Sequence, residues 1–344
     1  MGKVALIGNG HIAKATYIKY FRERNKDYEI CAVVNPNVES AKKFIKENSI
    51  KKSYKNIDQM LMNEHPDLVI VCSPNRYHYE HVMKCLSKNI HVFCEKPPAM
   101  NSKQAKEMYN LAKDNKLFLA YNFPHRYSEE TKILRKNIKK LGDVYFIEAN
   151  AIRKHGIPTW GKFTEKSIQG GGPLIDIGIH ILDAALYILN YPKIKSVYAN
   201  QYTSLSHEKI KAFINNTENN EYTIEDSLFG TIEFENGAIL RINTSYLLNV
   251  ESDEFNIRMV GKQYGANLYP LKIFTNIDMD LIEYEEKNEV TEPLNRFGCL
   301  EEFCRKIKKN QFSTQEANEG YMIQYLIESL YLSAETGEKV ILKY

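Results

Sequence analysis

Three side chains in this sequence have the chemistry to move a proton and steady an oxygen: Lys96, Asp176 and His180. Lys96 sits in Ile90–Pro98, I-H-V-F-C-E-K-P-P, where residues of strand character run into Glu95, the lysine and two prolines. That order places an ammonium group at the carboxyl edge of a sheet, where open α/β sheets bind ligands. Asp176 and His180 are spaced i, i+4 on a predicted helix opened by Gly170-Gly171-Gly172-Pro173. They therefore share one face, one turn apart, and Pro173 suits the first helical position. Histidine titrates near neutral pH and can take a hydroxyl proton. Lys96 can donate to the same oxygen as negative charge builds on it. Asp176 can hold a second hydroxyl or tune the lysine, and Asp183, a turn further on, is placed to orient the imidazole. Two plainer readings stand beside this one. A histidine on a helix as apolar as Ile177, Ile179, Ile181, Leu182 and Leu186 is most often a satisfied core residue. Asp176, His180 and Asp183 are also metal ligands by type, but proton transfer accounts for the pair and no metal is expected.

A second chemistry lies upstream. Gly8, Asn9, Gly10, His11 and Ile12, followed by Ala13, form G-x-G-x-x-A after an apolar run and before a helical pattern. Gly8 makes the tight turn, Gly10 lets a pyrophosphate approach the backbone, and Ala13 packs helix on strand. The helix start offers free N–H groups to the phosphates. The alternative is a glycine turn that binds nothing. Asn35 ends the second strand about twenty residues on, where an acidic residue usually meets the adenosine ribose. Asparagine can bond a hydroxyl but does not repel a 2′-phosphate; with no arginine following at once, NAD is expected, with NADP as the alternative. Ser73, Pro74 and Asn75 form another carboxyl-edge loop placed to line the cofactor, as is Glu95 beside Lys96. His78 reads equally as a cofactor contact or as a satisfied helix-start residue. Arg126 is placed either to face the cofactor or to form a surface ion pair. Arg153 and Trp160, the only tryptophan, flank the glycine-opened helix in sequence and are candidate substrate contacts, Trp160 reading equally as the packing of a crossing loop.

The elements that must position these groups change character along the chain. Val4–Ile7, Ile30–Val34, Leu68–Cys72, His91–Cys94 and Leu117–Ala120 read as strands, separated by amphipathic stretches such as Ala13–Arg24 and Ser102–Asp114. Near-continuous apolar strands with helices between them mean a parallel sheet covered on both faces. Beyond about Tyr121, Ser128–Lys140 reads as helix and Val144–Ile152 as strand. After the triple-glycine helix come strands without helices: Val197–Thr203, Ser227–Glu235, Ala238–Tyr246 and Asn256–Val260. Asn236-Gly237 is a strong hairpin signal. Gln315–Thr336 reads as helix, Val340–Leu342 as strand and Asn215–Asn220 as a loop. The expected fold is thus α/β: a Rossmann domain over 1–122, then an α+β domain over 123–344 with a large, mainly antiparallel open sheet, the C-terminal helix packing back toward the first domain being the alternative. The 344 residues suit two domains. A net charge of +3 with interspersed signs gives no nucleic-acid footprint. No apolar run looks long enough for a membrane span, and the first residues read as a strand, not a leader. Six cysteines without a C-x-x-C pair suggest reduced core thiols in the cytoplasm.

Together these pieces resemble the Gfo/Idh/MocA family of nicotinamide-dependent sugar and inositol oxidoreductases. The carriers are G-N-G-H-I-A at the start, S-P-N-R-Y-H at 73–78, E-K-P at 95–97 and D-I-G-I-H at 176–180. Arg153–Gly161 with Gly170–Asp176 looks like a subgroup of sugar dehydrogenases. The resemblance implies hydride transfer between NAD(P) and a secondary alcohol or ketone of a sugar, sugar derivative or cyclitol. It implies that Lys96, Asp176 and His180 sit around the nicotinamide and the sugar carbon. It also implies a homodimer or homotetramer packed through the C-terminal sheet. Asn35 departs from the family's ribose-binding acid, which bears on cofactor choice. Two other functions compete: a glycoside hydrolase or lyase that oxidises transiently with bound NAD, and a non-enzymatic dinucleotide sensor, which would need no proton relay.

Overall fold

Strand β1 (Gly2–Ile7) lies in the middle of a six-stranded sheet with β2 (Tyr28–Val34), β3 (Lys52–Tyr54), β4 (Leu68–Val71), β5 (His91–Cys94) and β6 (Leu119–Tyr121). The order is β3-β2-β1-β4-β5-β6, with every pair parallel. Val4, Leu6, Leu68, Val69, Ile70, Val92 and Phe93 are all fully buried. These central strands are unbroken apolar runs because helices cover both faces. The order reverses between β1 and β4, so the loops after β1, β2, β4 and β5 leave from the carboxyl edge beside the switch point. The computed structural model describes residues 1–158, 161–203, 222–277, 280–284 and 295–343. It divides into two units: Met1–Asn122 with Arg296–Gln324, and Phe123–Asn295 with Tyr325–Tyr344.

In the first unit, helices begin where asparagines supply caps: Asn37 accepts from Ser40 N, Asn56 from Gln59 N and Asn101 from Gln104 N. The sequence reading missed β3 and the helix Ile57–Asn63; β3 is short, polar and at the sheet edge, so it carries little periodic signal. It also assigned residues 123–344 to the second domain, with the C-terminal helix packing back toward the first domain as the alternative. Arg296–Gln324 belongs instead to the first unit, where Phe303 of the helix Gly298–Lys308 packs edge-on against Phe93 with centroids 5.4 Å apart.

The second unit is built on a nine-stranded sheet ordered β14-β13-β12-β11-β7-β10-β9-β8-β15. Its strands are β7 (Val144–Ile152), β8 (Ile194–Tyr202), β9 (Ser227–Phe234), β10 (Ile239–Ser245), β11 (Glu254–Gly261), β12 (Gly265–Asn267), β13 (Lys272–Ile277), β14 (Asp280–Tyr284) and β15 (Val340–Ile341). β7 and β10 pair in parallel, and the other neighbours are antiparallel. The hairpin expected at Asn236-Gly237 joins β9 to β10, with Gly237 at φ +85°. The short strands β12 to β14 were not foreseen. Along β10, Leu240 and Ile242 face the core, whereas Ile239 and Arg241 are exposed on the other side. Trp160 and the expected loop Asn215–Asn220 lie outside the described residues.

The helix that carries Asp176 starts as a π-helical turn, Leu174–Gly178, and continues as the α-helix Ile179–Ile188. Pro173, with φ −60° and ψ −32°, is already in helical conformation. The glycines before it are set by close approach. A Cβ on Gly171 would lie 2.2 Å from the Tyr331 hydroxyl, and one on Gly172 would lie 2.2 Å from the Glu225 carbonyl. The buried Glu225 carboxylate accepts from Gly172 N at 2.9 Å, Leu174 N at 3.4 Å and the Tyr331 hydroxyl at 2.8 Å. A negative group thus faces the N–H groups of the helix start. The expectation that no segment matches a membrane span needs one correction. Lys166–Ile188 passes on length and composition, but 83% of its most apolar window is buried inside the protein, as a core helix is.

Candidate active site

In the first unit the dinucleotide loop has the geometry its glycines require. Gly8 has φ +103°, and a Cβ there would strike the Cys72 carbonyl oxygen at 2.5 Å. Gly8 N donates to Val34 O at 2.9 Å, which ties the loop to the end of β2. A Cβ on Gly10, by contrast, would meet nothing within 4 Å. Protein packing does not demand that glycine, and the space over it fits an approaching pyrophosphate. His11 is exposed, and Ile12 is partly buried at the helix entry. Asn35 donates through Nδ2 to Asn9 Oδ1 and accepts from Asn37 N at 2.8 Å, so the second-strand end and the glycine loop are bonded together. Asn9 Nδ2 donates to Ser40 Oγ at 3.0 Å. The bond from Asn37 N is the expected turn role of Asn35.

At the end of β5, Lys96 is the only residue from Val92 to Ala99 that is not buried. Its neighbour Glu95 was expected to line the cofactor and does not. Glu95 is buried, and its Oε1 accepts from the Tyr17 hydroxyl at 2.5 Å and from Asn122 Nδ2 at 3.0 Å. Burial pushes its carboxyl above the usual range, against the pull of Tyr17, Asn122 and Lys96. Glu95 therefore anchors the base of the Lys96 loop. Pro74 is exposed, and Ser73 and Asn75 are partly buried at the matching end of β4. His78 follows its second reading: it is fully buried, with Nδ1 2.8 Å from Pro97 O and Nε2 2.8 Å from Ser73 O. A ring spent on two backbone carbonyls has no nitrogen for a cofactor.

In the second unit, Asp176 and His180 are the only residues between Gly171 and Leu186 that are not buried. The i, i+4 spacing does put both on the open side of an otherwise sequestered helix. A π-helical turn beneath them widens the backbone, a feature frequent at functional sites. The Tyr246 hydroxyl donates to Asp176 Oδ2 at 2.6 Å. Tyr246 is fully buried, and burial followed by the Asp176 charge pushes its phenol far above the ordinary value, so it remains a donor. The Arg153 guanidinium lies 6.0 Å from the centre of the Tyr246 ring, which places Arg153 in the Asp176 neighbourhood.

His180 has a ring neighbour that the sequence reading did not single out. His125 lies 5.6 Å away between centroids and also packs on Phe255 at 4.8 Å. His125 Nδ1 is 3.1 Å from the Tyr269 hydroxyl, and burial pushes its pKa down to about 4, so the ring next to His180 is uncharged. Two further expectations are corrected together. Asp183 does not orient His180, and Arg126 does not face a cofactor. Arg126 Nε and Nη2 donate to the fully buried Asp183 at 2.8 and 2.5 Å, and the Tyr191 hydroxyl donates to Asp183 at 2.5 Å. The guanidinium is wrapped by Phe123, Tyr187 and Tyr191. This is a buried ion pair rather than a surface one. Neither Tyr246 nor His125 gave a local signal: one simply ends an alternating strand, and the other precedes a more conspicuous arginine.

Known proteins align with this arrangement over nearly the whole chain. Residues 2–123 match the Gfo/Idh/MocA oxidoreductase model with an NAD-binding Rossmann fold, and residues 135–342 match the family's C-terminal alpha/beta domain. A D-glucoside 3-dehydrogenase of Escherichia coli is 40% identical over 98% of this chain and 97% of its own length. A glucose-6-phosphate 3-dehydrogenase of Bacillus subtilis is 28% identical over 81% of this chain and 79% of its own. A levoglucosan dehydrogenase solved with NADH superposes with a TM-score of 0.85 over 99% of both chains, at 18% identity, and so shares the fold.

Proposed function

This chain belongs to the Gfo/Idh/MocA family of NAD(P)-dependent oxidoreductases, and on that premise we propose that it oxidises the 3-hydroxyl of a D-glucoside to a ketone. The position and the sugar are supported by the D-glucoside 3-dehydrogenase, similar over almost the full length, and by the second relative that acts at the same carbon. The observation that carries the site is the exposure pattern of the glycine-opened helix: everything from Gly171 to Leu186 is buried except Asp176 and His180.

NAD, when bound, supplies the hydride acceptor. In our reading Gly8 to Ile12, Asn35 and Ser73 to Asn75 hold the dinucleotide. His180 takes a hydroxyl proton, and Lys96 donates to a substrate oxygen and offsets negative charge that grows on it. Asp176, fixed by Tyr246, receives a neighbouring sugar hydroxyl, and Arg153 stands by as a second sugar contact. The neutral His125 ring imposes no positive charge beside His180, which favours protonation there during the step.

Purified protein with NAD and methyl D-glucosides tests this directly. The expected result is accumulation of reduced nicotinamide matched by a 3-ketoglucoside in the NMR spectrum, abolished in Lys96→Ala while the protein still folds. Release of the aglycone without net reduced nicotinamide would instead establish the transient-oxidation hydrolase. Binding of NAD without any turnover would leave a sensor.

We propose also that a second copy docks on the open face of the nine-stranded sheet. On that face Tyr198, Tyr202, Ile239 and Ile341 are 43%, 46%, 39% and 55% exposed. The register sets Arg241 beside Glu148, which also bonds Arg258. Sedimentation of Ile239→Lys against the unaltered protein tests it; an unchanged mass distribution refutes it. The six buried cysteines, none of them in a disulfide, support work in a reducing compartment such as the cytoplasm.

A further inference from the structure

Glu225 precedes β9 and takes no part in the proposed chemistry, yet it ties together the two elements that fix Asp176. Its carboxylate faces the start of the glycine-opened helix. There Oε2 accepts from Gly172 N at 2.9 Å, and Oε1 accepts from Leu174 N at 3.4 Å and from the Tyr331 hydroxyl at 2.8 Å. Each of these groups donates, so an ionised carboxylate satisfies all three together. Burial pushes the carboxyl up, and the donations from Tyr331, Gly172 and Leu174 oppose that. Gly172 O in turn accepts from Asp176 N at 3.1 Å. On the other side, the carbonyl of Asp226, the residue next to Glu225, accepts from Tyr246 N at 2.9 Å. The Tyr246 hydroxyl donates to Asp176 Oδ2 at 2.6 Å. These bonds close a ring that runs from Glu225 through Gly172, Asp176, Tyr246 and Asp226 back to Glu225, all within the second unit. Two glycines keep it tight. A Cβ on Gly172 would lie 3.0 Å from Glu225 Cδ, and one on Gly178 would lie 2.6 Å from the Thr244 methyl group, two residues before Tyr246.

We infer that Glu225 is a positioning residue for Asp176: by fixing Gly172 against the strand end that carries Tyr246, it sets where Asp176 stands relative to the Tyr246 hydroxyl. The inference rests on the proposed reading in which Asp176 receives a hydroxyl of the glucoside. An acid that merely capped the helix would matter equally whether or not residue 176 carried a carboxylate. A positioning residue acts through that carboxylate, and its effect on turnover vanishes when the carboxylate is removed.

Glu225→Gln, measured in the unaltered protein and in Asp176→Ala, separates the two roles. A side-chain amide has to turn its NH2 toward Gly172 N or toward Leu174 N, and either way one N–H of the helix start loses its acceptor. For a methyl D-glucoside, kcat/KM should fall by about tenfold in the otherwise unaltered protein. In the Asp176→Ala background the further fall should be less than about twofold. NADH affinity from fluorescence titration should stay unchanged in both. Hydrogen exchange in a peptide spanning residues 171–176, read by mass spectrometry, should speed up in Glu225→Gln. Should that variant not fold, Tyr331→Phe keeps the charge, removes one donor to it and should show the same dependence on Asp176 at a smaller size. Equal losses of kcat/KM in the two backgrounds would reduce Glu225 to a structural residue and overturn the inference. Unchanged kcat/KM or unchanged exchange in Glu225→Gln would overturn it equally, while leaving the proposed function intact. Failure of the unaltered protein to oxidise any glucoside would remove the proposed function and this inference together.

Discussion

Tyr246 holds Asp176: the phenol of a fully buried tyrosine donates to one carboxylate oxygen at 2.6 Å. An accessible acid is thereby steadied by a donor that cannot ionise near neutral pH. Tyr246→Phe removes only the hydroxyl. A hydrogen bond to a charged group contributes about 1.5–3 kcal/mol, so kcat/KM should fall by about ten- to a hundredfold, with NADH affinity unchanged. Steady-state kinetics beside an NADH titration checks this. A fall in NADH affinity of the same size would mean that Tyr246 does not act through Asp176.

The Arg126–Asp183 pair should be a stability element. Asp183→Asn leaves a buried guanidinium without its countercharge, and breaking such a pair costs about 3–5 kcal/mol. Arg126→Met combined with Asp183→Leu removes both charges and should recover most of that loss. Denaturant titration followed by fluorescence compares the variants. A double variant no better than the single one would show that the pair itself contributes the stability.

Two half-buried histidines should make the protein sensitive to mild acid. Burial pushes His81 and His125 from the ordinary 6.5 down to about 4 in the folded state. Between those values the unfolded chain binds more protons than the folded one. Stability from these rings is therefore complete above pH 6.5 and is lost as pH falls through about 4. The loss amounts to up to about 3 kcal/mol for each ring. Melting temperatures across this window should fall less steeply in His125→Gln and His81→Asn than in the unaltered protein. Parallel slopes would mean the rings are not held neutral.

Asn35 offers a test of cofactor choice. Its side chain is bonded to Asn9 of the glycine loop, at the edge where a ribose is read. Asn35→Asp should raise the NAD to NADP ratio of kcat/KM, because a carboxylate accepts from the ribose hydroxyls and repels a 2′-phosphate. A ratio unmoved by the substitution would place the ribose elsewhere.

The Rossmann half was legible because its strands are buried on both faces and announce themselves as apolar runs, and because Gly8 is demanded by a backbone collision 64 residues away in sequence with Cys72. Asp176 and His180 were legible because helical spacing is a local property. What escaped was long-range partnership. Tyr246 meets Asp176 across 70 residues, and Arg126 meets Asp183 across 57; no local pattern encodes either. Short strands such as β3 and β12, three residues each, are too short for alternation to show. Glu95 and His78 illustrate a different limit. Each sits beside groups assigned to the ligand edge, but burial turns its polar atoms inward, and burial is settled only by the folded chain.

The return of Arg296–Gln324 to the amino-terminal unit has a bearing on biogenesis. Phe303 contributes to the cover over Phe93 of the central sheet, so the nucleotide half cannot finish its interior when residue 122 leaves the ribosome. It has to wait until residues 296–324 have been translated. The portion made first is therefore sealed late, and a growing chain exposes that apolar surface until then.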